Sequence, residues 1–286
     1  MTIQEAKLKA AEKLKTKSPT PELDSRVILS ELLNLNQSQL IINYKMQLSP
    51  TQETQFFTQI EKREQHIPVA YIIGKKEFYS RNFFVNEHTL IPRPDTEILV
   101  SKTLEYLRQN ANQKQEFSIL DLCTGTGCIG ITIAAEAEKQ YKLRLTLADI
   151  DEKALKIAKK NSHFIQKTPL FFKKSDLFTN LINEKYDIIT ANPPYLTQSW
   201  IDDLEEDVKL EPKLALYGHS KDGLGLINKL LDNANNHLNS GSAVFIECDF
   251  RQVQLVKQKF LEKGFHSVKI EKDLNGYNRV VWAKYA

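Results

Sequence analysis

The chain is poor in the features that mark several large protein classes. Its 286 residues hold three cysteines, Cys123, Cys128 and Cys248, and no Cys-x-x-Cys spacing. That is too few for a disulfide-stapled fold and the wrong spacing for a structural zinc site, and it suits a reducing cytoplasm. No apolar run approaches the length of a membrane span. The opening stretch MTIQEAKLKAAEKLK is charged and amphipathic, unlike a secretory leader. Neither sign of charge dominates. The formal net charge is +3, with 13 Lys+Arg against 11 Asp+Glu through residue 95 and 26 against 25 beyond it, so neither part is a basic nucleic-acid-binding domain. H-E-x-x-H, Walker A and G-x-S-x-G motifs are missing. The run closest to the last is Gly218-His219-Ser220-Lys221-Asp222, and the six histidines are scattered, so no metal site is expected.

What remains is an ordinary globular composition, 41% hydrophobic and 26% charged, at a length that predicts one large or two modest domains. Residues 1–70 read as a small helical bundle. Ile3, Ala6, Ala10, Ala11 and Leu14 recur at helical spacing. Thr20-Pro21 starts a second helix whose stripe is Leu23, Val27, Ile28, Leu32 and Leu35. Ser49-Pro50-Thr51-Gln52 is a capping box ahead of Phe56, Phe57 and Ile60. Periodicity alone does not separate a packing module from a docking surface. Residues 71–95 are aromatic and alternating, which predicts a hairpin linker, and Pro92 and Pro94 force extended backbone before a helix at 96–109.

From residue 96 to 286 the pattern predicts one domain. Strands are expected at 117–122, 143–149, 170–175, 186–191, 242–248, 266–272 and 278–284. Helices are expected near 126–140, 151–165, 224–239 and 250–263. Such alternation gives a doubly wound, mostly parallel α/β sheet of seven strands. Asn275-Gly276 closes the last two strands as an antiparallel hairpin, an arrangement associated with the Rossmann-like methyltransferase fold.

The segment DLCTGTGCIG, 121–130, follows a strand and opens a helix. Gly125, Gly127 and Gly130 make a G-x-G-x-x-G pattern, and Asp149 ends the next strand 19 residues past Gly130. This is the layout of a nucleotide site at the carboxyl edge of a parallel sheet. Asp149 suits the ribose of either a nicotinamide cofactor or S-adenosylmethionine. Asp121, at the mouth of the loop, disfavours a pyrophosphate and suits ammonium and sulfonium charge, which points to S-adenosylmethionine. Asp176 is read either as an acceptor for the adenine amine, beside Leu177, or as a plain loop residue.

Asn192-Pro193-Pro194-Tyr195 follows the fourth strand of the sheet. The prolines stiffen the backbone and contribute no N–H. The Asn192 side-chain oxygen and the Pro193 carbonyl are then placed to accept both hydrogens of an –NH2 group, and Tyr195 offers a flat face to a planar substrate. The implied acceptor is an amide or aromatic amine held in line for methyl transfer.

With these motifs in view, the chain resembles the HemK/PrmC-type methyltransferases, which methylate the glutamine of the Gly-Gly-Gln motif in class I peptide chain release factors. The resemblance covers nearly the full length. It includes Pro92-Arg93-Pro94-Asp95-Thr96-Glu97, the glycine loop, the tetrad, Glu211-Pro212, Ala215-Leu216 and Asp222-Gly223-Leu224. It implies that Cys123, Thr124, Gly125, Thr126, Gly127, Asp149, Leu177 and Asn192 contact S-adenosylmethionine. It further implies that Asn192, Pro193, Pro194 and Tyr195 clamp the glutamine, that 93–97 helps close the pocket, and that the partner is a release factor in the cytoplasm. Three positions depart from the family pattern: Cys123 stands for a glycine, His219-Ser220-Lys221 for a glycine and one spacer, and Glu247-Cys248-Asp249 lacks a glycine. Alternatives are a ribosomal-protein glutamine, an adenine in nucleic acid, or a non-catalytic nucleotide-binding scaffold. The run Asp202 to Glu211, six acids and one lysine, argues against a phosphate backbone beside the tetrad.

Overall fold

The computed structural model describes residues 1–110, 114, 116–165 and 169–286. The helices are α1 (Ile3–Leu14), α2 (Pro21–Leu33), α3 (Gln37–Ile42), α4 (Pro50–Glu64), α5 (Val69–Ile73), α6 (Glu97–Asn110) and α7 (Cys128–Ala137). They continue with α8 (Glu152–Ile165), α9 (Gln198–Asp202), α10 (Glu206–Lys209), α11 (Lys213–Leu216), α12 (Gly225–Ala234) and α13 (Val253–Glu262). The strands are β1 (Lys75–Phe78), β2 (Arg81–Phe84), β3 (Glu116–Leu122), β4 (Lys142–Asp149), β5 (Phe171–Lys174), β6 (Tyr186–Ala191), β7 (Leu238–Glu247), β8 (His266–Lys272) and β9 (Asn278–Lys284). The chain divides into two compact units, 1–75 with 205–210 and 76–204 with 211–286. Among the described residues no helix is long and apolar enough to cross a membrane.

In the helical unit, capping boxes at Thr2, Asn36 and Ser49 start α1, α3 and α4. The core takes Ile3, Ala6, Ala10 and Leu14 from α1, Ile28 and Leu29 from α2, and Phe56 and Ile60 from α4. The inward face of α2 differs from the sequence reading. Leu23 is exposed, while Asp24 and Ser25 are buried. The reason is an ion pair: Arg63 of α4, itself buried, donates from Nε to Asp24 Oδ2 at 2.6 Å and from Nη2 to Asp207 at 3.2 Å. Ser18 Oγ donates to the same Asp24 oxygen at 2.7 Å. Asp207 lies in the acidic run, so part of that run serves as an internal counter-ion.

In the second unit the seven-stranded sheet has the order β5-β4-β3-β6-β7-β9-β8. β3 to β7 pair in parallel, and β9 inserts antiparallel between β7 and β8. Alternate residues face opposite layers. Ile119, Ile188 and Phe245 pack in the cluster that includes α6 and α7, and Leu120, Ile189 and Ile246 in the one that includes α12 and α13. This period of two, apolar on both faces, is what helices on each side of a parallel sheet require. The chain runs outward from β3 through β4 to β5, then returns to β6 on the other side of β3. The carboxyl ends of β3, β4 and β6 therefore meet at a topological switch point.

Two boundaries differ from the sequence reading. α12 ends at Ala234 and β7 begins at Leu238, because the register shifts between Tyr186 and Ile188 and lets Asn239–Gly241 continue the strand as a bulge. α13 begins at Val253, after a turn in which Asp249 Oδ1 accepts from Arg251 N at 3.0 Å. The β1–β2 turn is also unusual: Tyr79 and Ser80 both have positive φ without glycine, and Glu97 accepts from the Tyr79 N–H at 2.8 Å.

Removing Arg63 would leave Asp24 buried without its counter-ion. Arg63→Ala is expected to destabilise the helical unit by about 3–5 kcal/mol, read as an earlier unfolding transition of the full chain in urea.

Candidate active site

Four strand ends and the turns after them line one open cavity, entirely within the second unit. β3 leads into Cys123, Thr124, Gly125 and Thr126, with Cys128 and Ile129 from α7. β4 gives Asp149, Ile150 and Asp151, β5 leads to Ser175, Asp176 and Leu177, and β6 leads to Asn192 and Pro194. The rim is completed by His88 to Leu90, Pro92, Arg93 and Thr96, by Pro212, Leu214, Ala215 and His219, and by Leu226 and Lys229 of α12.

The glycine loop is shaped by hydrogen bonds that its own sequence demands. Asp121 has no exposed surface, and its carboxylate accepts from Thr124 Oγ1 at 2.5 Å, Gly130 N at 3.1 Å and Thr190 Oγ1 at 2.9 Å. A Cβ on Gly130 would crowd Asp121 at 3.1 Å, and at Gly127, with φ +80, it would meet Ile131 at 2.6 Å. Gly125 N donates to Asp149 Oδ2 at 2.8 Å, and Asp149 Oδ1 accepts from Asp151 N at 2.9 Å. A Cβ on Gly125 would meet nothing within 4 Å, so its backbone is open to close approach.

Asp121 differs from the sequence expectation. It does not line the cavity; desolvation raises its carboxyl to about 6, against the three donors that favour its charge. The acidic groups on the wall are Asp149, whose carboxyl is raised by burial, Asp151 and Asp176. Burial and the charges of Asp149, Asp121 and Asp176 push the Cys123 thiol up strongly, so it stays protonated and is no nucleophile. A wall of carboxylates beside open glycine backbone, with apolar Ile150 and Leu177, fits a cationic nucleoside cofactor and opposes a pyrophosphate.

The tetrad divides. Asn192 is partly buried, lines the cavity and donates from Nδ2 to Thr96 Oγ1 at 3.2 Å. Pro194 also lines it. Pro193 is buried, and Tyr195 is half-buried and absent from the cavity wall; Gly127, too, serves the start of α7 and not the wall. Tyr195 is held from two sides. Gln252 Nε2 donates to its carbonyl at 2.8 Å, and its hydroxyl makes a long 3.4 Å contact with Glu247 Oε1. Gly223 packs so closely that a Cβ there would lie 2.1 Å from the Tyr195 oxygen, and one on Gly218 would lie 1.9 Å from the Gly223 oxygen.

Several supports are invisible to motif reading. Asn161 of α8 donates to the Thr126 carbonyl at 2.9 Å and to the Phe84 carbonyl at 3.0 Å, tying the loop to the β1–β2 hairpin. Glu211, from the acidic run, accepts from Ile91 N at 2.9 Å and from Arg93, fixing the 90–93 rim. Its charge is therefore spent internally. Of the acidic run, Glu205 to Leu210 group with the helical unit, and Asp202 and Asp203 with the second.

Cys123 sits at φ +56, where glycine is favoured. The left-handed backbone costs a non-glycine residue about 1–2 kcal/mol, and glycine's extra freedom when unfolded offsets about 0.5–1 kcal/mol of that. Cys123→Gly is therefore expected to leave the melting temperature unchanged or slightly raised and to keep cofactor affinity. Cys123→Val, β-branched in the same conformation, is expected to lower both. Calorimetry with and without S-adenosylmethionine checks the pair.

Comparison with known proteins agrees with this architecture. Residues 5–74 match the PrmC N-terminal domain and 97–206 the methyltransferase small domain. The release factor glutamine methyltransferase of Leptospira interrogans is 37% identical over 96% of this chain and 94% of its own length. That of Borreliella burgdorferi is 36% identical over 88% and 85%. A bifunctional methyltransferase of Rickettsia bellii is 33% identical over 91% of this chain, which spans 50% of that longer protein. Among solved structures, the hMettl16 catalytic domain bound to an RNA hairpin shares the fold at 12% identity, with a TM-score of 0.53 and 83% of each chain covered. The chain belongs to the release factor glutamine methyltransferase family and is an S-adenosylmethionine-dependent methyltransferase.

Proposed function

We propose that the protein methylates the side-chain amide nitrogen of the glutamine in the Gly-Gly-Gln motif of class I peptide chain release factors. The observation that carries this reading is the orientation of Asn192. Its Nδ2 is committed to Thr96, which leaves Oδ1 as a hydrogen-bond acceptor on the residue that joins β6 to the cavity. An acceptor there selects a substrate that donates, as a primary amide does. When bound, S-adenosylmethionine supplies an electrophilic methyl group on a sulfonium. Asp149 is the proposed holder of its ribose, and the backbone of Cys123 to Gly127 with Leu177 the surface against which it lies.

Asn192 Oδ1 and the Pro193 carbonyl are proposed to take the two amide hydrogens. By pulling on those protons they raise electron density on a nitrogen whose lone pair is otherwise delocalised, and they stabilise the positive charge that builds there. The surplus proton leaves after transfer, so no strong base is required. Pro194 stiffens the turn. Tyr195 lies outside the cofactor cavity wall, and its proposed place is the acceptor side, flanking the planar amide.

The helical unit is the proposed docking module. Its Ile41 and Ile42 are 66% and 77% exposed, with Leu8, Tyr44 and Met46 also open. Release factors act in translation, so the proposed setting is the cytoplasm.

The test is to incubate the protein with methyl-labelled S-adenosylmethionine and, separately, a class I release factor, ribosomal proteins and DNA. Label is expected on the release factor and lost when its Gly-Gly-Gln glutamine is replaced; label on DNA alone would reject the acceptor. Asn192→Ala is expected to lower kcat by roughly 10²–10³-fold while the dissociation constant for the cofactor stays near that of the wild type. Near-normal turnover would remove Asn192 from the clamp.

A further inference from the structure

Glu247 ends β7, next to β6, and is 2% exposed. The proposed transfer gives it no role beyond its long contact with Tyr195, yet burying a carboxyl is costly and Oε2 has no hydrogen-bond partner. Its surroundings give a reason. The hydroxyls of Thr96 and Tyr195 both lie against it and favour its ionised form, and Thr96 in turn accepts from Asn192 Nδ2 at 3.2 Å. The two side chains of the tetrad that carry polar groups are thus connected to one buried carboxyl.

We propose that Glu247 is a positioning residue, whose acceptor-only carboxylate makes Thr96 and Tyr195 donate toward it and thereby fixes the amide of Asn192 with Oδ1 toward the substrate. The direction follows from hydrogen-bond inventory. A carboxylate cannot donate, so the Thr96 proton points to Glu247 and the Thr96 lone pairs are left for the Asn192 amide nitrogen. Were Glu247 protonated, its own O–H could donate to Thr96. The threonine proton would then be free to turn toward Asn192, and the amide would lose its unique orientation. The inference rests on the clamp role of Asn192.

Desolvation raises the Glu247 carboxyl to about 7, with Arg279 and the two hydroxyls opposing the rise and Asp95 adding to it. The other titratable groups facing it are Cys128 of α7 and Cys248 beside it; Asp249 is turned to Arg251 and Arg279. The sign is therefore fixed. The ordering form fills as pH rises through 7, and turnover rises with it. Stability moves the other way: it falls as pH rises from about 4.5 to about 7, where the unfolded chain is ionised and the fold still holds the proton, and above that the fold carries a buried charge.

The experiment measures turnover of an intact class I release factor from pH 6 to 8.5 for wild type, Glu247→Gln, Thr96→Val and Thr96→Ser. Glu247→Gln, which cannot ionise, is expected to lose roughly tenfold to a hundredfold in kcat. It should also lose the rise near pH 7, bind S-adenosylmethionine as before, and melt higher than wild type at pH 8. Thr96→Val should match its loss of kcat, and Thr96→Ser should restore turnover. A purely structural residue would not combine higher stability with lower kcat. Wild-type turnover and an unaltered pH profile in Glu247→Gln, or full activity in Thr96→Val, would overturn the proposal. If Glu247→Gln does not fold, the two Thr96 variants decide. Wild-type protein that fails to label the release factor would overturn the acceptor assignment instead, so the two failures are distinct.

Discussion

The site depends on a carboxylate that touches no solvent. Asp121 gathers one donor from the glycine loop, one from the first turn of α7 and one from β6. Each of those elements carries a different part of the cavity: Cys123 to Thr126 on the loop, Cys128 and Ile129 on the helix, Asn192 just beyond the strand. A charged acceptor shared by three donors is stronger than three separate neutral bonds, and it sets the spacing between cofactor loop and tetrad. The burial cost is visible in the carboxyl being raised to about 6.

A second layer repeats the device. Asp149 joins Gly125 to Asp151, Glu211 joins Ile91 to Arg93, and Asn161 joins Thr126 to Phe84. In each case a polar side chain holds at least one main-chain group from a distant part of the chain that a loop would otherwise leave to water. The cavity is thus walled by loops whose backbone is held from outside, and one of its acidic groups, Asp149, also does this holding.

The parts legible in the sequence were the local ones. Strand-helix alternation gave the parallel sheet, the glycine spacing gave the loop after β3, and the doubled proline marked the turn after β6. Supports that close over many residues were not legible. Asp24 with Arg63, Asn161 with Phe84 and Glu211 with Arg93 are separated by 39, 77 and 118 positions. No periodicity announces such a pairing. Asp121 shows the limit from another side: its position was read correctly, but whether its carboxylate faced the cavity or the interior depended on Thr190, which only the fold brings near. The end of α12 was misplaced for a similar reason, since Asn239-Ser240-Gly241 reads as a turn until its pairing partner in β6 is known.

Gly218 and Gly223 leave each other no room for a methyl group, and Gly223 leaves none against Tyr195. Between these two posts stand His219, Ser220, Lys221 and Asp222. Lengthening a closed loop costs only about 0.6 kcal/mol per doubling, whereas adding volume at either post must displace main chain. A change of loop length at this rim is therefore far cheaper than a side chain at either anchor. Because His219 borders the cavity, the length of this loop shapes the entrance without moving the strand that leads to Asn192.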